Sequence, residues 1–149
     1  MRNMFFRKIL YGISVLSLIL TALGGVTLPS LANWYSKYTD VGIVKMEALM
    51  FIYATMVPFI VILFSVIKLS KNLLKCKSFS KDNLRSLNII SICSFIDFII
   101  YLIGTIFIFR NLACFILTFA TLMVFLMSYI IKELINNGIE LQDENDLTI

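Results

Sequence analysis

The chain has 149 residues, of which 60% are hydrophobic and 15% charged, and its mean hydropathy is +0.94. A soluble domain is about 45–50% apolar and about 25% charged, so a soluble fold of this size could not hide the excess, and lipid is expected as its solvent. The net charge is +4 and there is no histidine, which removes the commonest metal ligand and general base, while Cys76, Cys93 and Cys114 form neither a CxxC pair nor a disulfide framework.

A helix needs roughly 20 apolar residues to cross about 30 Å of hydrocarbon. Four stretches qualify, at about 9–28, 48–67, 87–109 and 112–131. They lack the period-2 alternation of strands, and backbone in lipid must bond internally, which leaves helices. The expected fold is all-α: a single domain forming an integral membrane four-helix transmembrane bundle.

The first span follows Arg2, Arg7 and Lys8 and carries a small or hydroxylated stripe of Tyr11, Ser14, Ser17, Thr21 and Gly24. Its start also resembles a signal peptide, with Ser30-Leu31-Ala32 as a cleavage site. The apolar run exceeds the roughly 7–15 residues of a usual signal core, which favours retention over cleavage after Ala32. Trp34, Tyr35 and Tyr38 suit a membrane interface. The second span contains Pro58, which crowds the carbonyl of Ala54 and predicts a kink.

The loop 68–86 is basic, with Lys68, Lys71, Lys75, Lys77, Lys81 and Arg85 against Asp82. Lys68, Lys71 and Lys75 are at helical spacing, so the second helix is expected to continue beyond the membrane. Ser80 is a predicted N-cap for the third helix, with Phe79 and Leu84 at hydrophobic-staple positions and Asp82 in the first turn. Counting the flanks, ten of the thirteen basic residues fall on the side of both termini and this loop, against Lys37, Lys45 and Arg110 opposite. The positive-inside rule then places both termini in the cytoplasm of a multi-pass cell-membrane protein. The lysines read as topology signals attracted to anionic headgroups, or as a dock for the acidic tail. Without interleaved stacking aromatics they do not read as a nucleic-acid site.

The third span holds the one charge within the four apolar runs, Asp97, sharing a helical face with Ser94, Tyr101 and Gly104. An ionised carboxylate at bilayer depth costs about 2.5–3.5 kcal/mol on insertion scales, so it must face protein or water, or carry a proton. Ser94, Asp97 and Tyr101 are therefore the candidate buried polar site. The readings are a structural acid in a packing seam, a ligand, ion or proton site, or a contact in a homo-oligomer. No base, nucleophile, metal or cofactor set accompanies Asp97, so no catalytic, cofactor-binding or metal-binding residue is assigned and no enzyme is expected.

The fourth span, with Thr118, Thr121 and Ser128, is expected to end near Asn136-Asn137-Gly138, where Gly138 can supply a left-handed cap. The tail 139–149 is acidic but carries Ile139, Leu141, Leu147 and Ile149. It reads as a segment packing on the basic face or as a docking peptide. The candidate partner-docking residues are Lys71, Lys75, Lys77, Glu140, Asp143, Glu144, Asp146, Leu147 and Ile149.

Three blocks carry a family resemblance: the Pro58-Phe59 step, the loop Leu73-Leu74-Lys75-Cys76-Lys77-Ser78-Phe79-Ser80 running into Asn83-Leu84-Arg85-Ser86-Leu87, and the ending Glu144-Asn145-Asp146-Leu147-Thr148-Ile149. Across most of its length the chain resembles a bacterial family of small membrane proteins with a conserved domain of unknown function. It departs from that pattern in its short third loop, Arg110-Asn111, and in Asp97. The resemblance implies a cytoplasmic partner, a helix-turn-helix regulator of the Cro/repressor type, because such genes are commonly neighbours; it implies no activity. The leading expectation is a non-enzymatic regulatory or interaction protein in the lipid bilayer. The alternatives are protection against membrane-active peptides, and small-solute or ion transport by an oligomer around Asp97.

Overall fold

The computed structural model describes residues 2–38, 46–75, 80–109 and 111–147. It is a bundle of four long helices: α1 (Arg2–Tyr38), α2 (Met46–Leu74), α3 (Lys81–Gly104) and α4 (Leu112–Leu147). Residues Thr105–Phe109 extend α3 as a short π-helical turn. All four are long and apolar enough to cross a membrane. Successive helices pack in chain order, α1 on α2, α2 on α3 and α3 on α4, while α1 and α4 do not pack closely on each other.

Burial follows the logic of a membrane bundle. Among the described residues the buried hydrophobic ones are Phe51, Leu63, Leu87, Ile90 and Cys114, whereas eleven are polar or charged, among them Ser14, Thr55, Ser65, Ser86, Ser91, Ser94, Thr118 and Ser128. Leucines, isoleucines and phenylalanines instead cover the outside. Lipid tails are as apolar as leucine, so nothing drives large side chains inward; small residues at the seams let the backbones approach. The predicted stripes on α1, α3 and α4 indeed turn inward, but their hydroxyls rarely bond across helices. Ser14 donates to Leu10 O, Thr21 to Ser17 O, Ser65 to Val61 O and Ser128 to Val124 O, at 2.7–3.0 Å. A carbonyl one turn back lies within reach of a helical serine or threonine, so for these four it satisfies the hydroxyl without help from a neighbour.

The helices overrun the expected spans at several ends. α1 continues as one helix through Pro29 and the Ser30-Leu31-Ala32 step to Tyr38. Pro29 cannot donate to Gly25 O, four residues back, and the Tyr53 hydroxyl on α2 donates to that carbonyl instead, at 2.9 Å. α2 is likewise assigned as one helix across Pro58. The expected stop at Gly138 is corrected: α4 runs on to Leu147. A mid-helix glycine costs only about 1 kcal/mol relative to alanine, and the flanking glutamate, leucine and glutamine are good helix formers. Asn136 Nδ2 also donates to Glu140 Oε1 across it, at 2.8 Å.

The Ser80 cap is present. Ser80 is extended (φ −146°, ψ 148°) and its hydroxyl accepts from the Asn83 N–H at 3.3 Å. Asn111 caps α4 in the same way, its side-chain oxygen accepting from the Cys114 N–H at 2.8 Å. Phe79, the other half of the expected staple, lies outside the described residues.

Candidate functional site

Two regions bring polar groups together. The first is the bundle end holding the start of α1, the end of α2, the start of α3 and the last part of α4. There Asn72 Nδ2 donates to Asn83 Oδ1 at 2.7 Å, joining α2 to α3 at a fully buried Asn83. Arg7 donates to Leu73 O at 3.0 Å, occupying a carbonyl left open by the end of α2. Lys132 donates to Asn88 Oδ1 at 2.9 Å and ties α4 to α3. Antiparallel packing from that point exhausts α3 about seven residues later, near Ile139. The rest of α4 therefore projects past its neighbour as a helix. Glu140, Leu141 and Glu144 on it are exposed, Leu141 by 61%.

Of the predicted docking residues, Lys71 and Lys75 are exposed at the end of α2, and Asp143, Asp146 and Leu147 belong to the last turns of α4. Lys77 and Ile149 lie outside the described residues. Through Leu147 the tail is thus a continuation of α4 rather than a separate segment.

The second region lies at the depth of the bundle. Ser94 and Asp97 are 1% and 3% exposed, and Gly104 is buried on the same face of α3, as the spacing predicts. Tyr101 is half-buried between them. The Asp97 Oδ1 and Ser94 Oγ atoms are buried without a hydrogen-bond partner. Asp97 and Tyr101 line a cavity of about 500 Å³. All four helices contribute, through residues including Gly24, Thr55, Met56 and Thr121. The cavity lies where α1 and α4, both in its lining, do not pack closely on each other. Apolar side chains dominate its lining, with few polar groups, which is the usual constitution of a small-molecule site.

Sequence reasoning found Asp97 and its face but missed the aromatic closure at the end of α3. Phe51 packs edge-on against Tyr101 and Phe109, with ring centroids 5.5 and 5.2 Å away. The π turn between those two residues carries Thr105, whose hydroxyl is 3.1 Å from that of Thr118 on α4. Such turns recur at functional sites, but no residue type announces them. Among the described residues no group of three histidine, cysteine or acidic side chains could hold a metal ion.

No solved structure matches this chain. Among curated proteins it is similar to the uncharacterized membrane protein YoaS of Bacillus subtilis (strain 168), 25% identical over 153 residues, covering 95% of this chain and 92% of that protein. That likeness extends over most of α1 as well as the three later helices. The model of a protein family of unknown function, DUF2975, matches residues 30–149. With its four apolar helices and a bundle whose large side chains face outward, the chain is a multi-pass membrane protein and belongs to this family.

Proposed function

We propose that the chain is a non-enzymatic interaction protein of the membrane, presenting a cytoplasmic face to a soluble regulatory partner. The observation that carries this is the last part of α4. From Lys132 to Leu147 it adds about 24 Å of helix beyond the apolar run. Its final turns outrun α3 and expose Leu141 between Glu140 and Glu144. An apolar side chain flanked by acids on a projecting helix suits docking into a groove with a basic rim. The basic bias of the termini and the 68–86 loop in the sequence, ten lysines and arginines against three, supports a cytoplasmic orientation for it. A Cro/repressor-type helix-turn-helix protein is the partner class this reading names, and the four spans serve as its anchor.

The test is crosslinking in native membranes with the full chain and with a chain ending at Asn137. A DNA-binding regulator captured by the full chain and lost on truncation supports the reading; an identical partner set for both overturns it. Orientation is checked separately in a Cys93→Ala, Cys114→Ala background. A membrane-impermeant maleimide should label Cys76 only after the vesicles are opened.

A further inference from the structure

The cavity beside Asp97 has a chemical bias. Its threonines have already committed their protons: Thr21 donates to Ser17 O at 2.8 Å, Thr55 to Ile52 O at 2.9 Å, and Thr121 to Thr118 O at 2.9 Å. Their oxygens remain as acceptors. Asp97 also lines the wall, its carboxyl carries an Oδ1 without a hydrogen-bond partner, and no lysine or arginine lines that wall. The Tyr101 and Phe59 rings also line it, and aromatic faces attract cations. The remaining lining side chains, such as Leu28, Ile52, Leu117 and Val124, are apolar. A volume of about 500 Å³ lies within the range that holds a small organic molecule. α1 and α4 both line the cavity but do not pack closely on each other.

We propose that this cavity binds an apolar molecule bearing a protonated amine, with the ammonium on Asp97 and the hydrocarbon along the α1–α4 cleft. The ligand supplies a positively charged hydrogen-bond donor, which none of the lining side chains carries, to a pocket rich in acceptors. A carboxylate and an ammonium that desolvate together offset costs that each would carry alone. This function is independent of the projecting end of α4.

Matched probes test it: dodecylamine and 1-dodecanol, titrated against the full chain in nanodiscs of neutral lipid, with thermal unfolding as the readout. The wild type should show a saturable rise in Tm with the amine and a much smaller one with the alcohol. Asp97→Asn keeps the side chain's shape and should weaken amine binding about ten-fold or more, as expected for a lost charged hydrogen bond, while leaving the alcohol response unchanged. Gly24→Phe provides the second arm. A Cβ at Gly24 meets nothing within 4 Å, so a side chain there has room to start into the cavity that Gly24 lines. It should abolish saturable binding of both probes while Asp97 stays in place. Equal amine responses in wild type and in folded Asp97→Asn or Gly24→Phe, a wild-type alcohol response as strong as the amine's, or no saturable amine response in wild type each overturns the proposal. Should Asp97→Asn not fold, the Gly24→Phe arm decides alone.

Discussion

Helices α1 and α3 are both apolar enough to span a membrane, yet the bundle uses them in opposite ways. α3 packs on both α2 and α4 and buries eight residues, most of them small or polar. α1 packs on α2, and Ser14 alone among its described residues is buried. α3 is held by interlocking shape and buried polar groups. α1 is pinned to α2 by two hydrogen bonds, Arg7 to Leu73 O near its start and Tyr53 to Gly25 O about two-thirds of the way along, with a seam of small residues between. In a bilayer, apolarity decides that a helix inserts; small and polar side chains decide where it sits in the bundle.

Substitutions in α3 should therefore cost most. Gly104 faces the Phe51 ring so closely that an added Cβ would overlap it, and that ring is held from two sides by Tyr101 and Phe109. Gly104→Val should destabilise by about 3 kcal/mol, the upper range for overpacking. Equilibrium unfolding in mixed micelles measures this; a loss below 1 kcal/mol would mean the aromatic cluster yields. Next in size is Asn83→Ala, which strands the Asn72 amide at the α2–α3 junction and should cost about 2 kcal/mol. A double-mutant cycle with Asn72→Ala isolates the pair, and additive losses would show that the hydrogen bond contributes nothing.

Much of this contrast was readable in advance. The spans were legible from hydropathy, the Ser80 cap from residue type, and the inward face of Ser94, Asp97 and Gly104 from the 3.6-residue period. Three features were not. The continuation through Gly138 depends on an Asn136–Glu140 bond that competes with a strong stop signal. The π turn at Thr105–Phe109 changes the register locally, so a fixed period cannot anticipate it. The cavity lies where α1 and α4 do not pack closely on each other, a relation between helices distant in sequence that no single helix's pattern encodes.

The smaller predictions fall on α1. Tyr53→Phe removes only a hydroxyl, but it leaves Gly25 O without the donor that replaces the one Pro29 lacks. Interhelical hydrogen bonds in membranes average about 0.6 kcal/mol, so a loss of about 0.5–1 kcal/mol is expected. The same variant should increase crosslinking between α1 and added lipid-soluble probes, because its tether at Gly25 is gone. Smallest of all is Gly12→Ala. A Cβ there meets nothing within 4 Å, and alanine favours the helix more than glycine does. Its effect should stay within about 0.5 kcal/mol, with any change being a gain. If Gly12→Ala instead destabilises as much as Gly104→Val, α1 packs against something on its outer face. A second copy of the chain is then the first occupant to test, by comparing the mass of the purified assembly with and without the substitution.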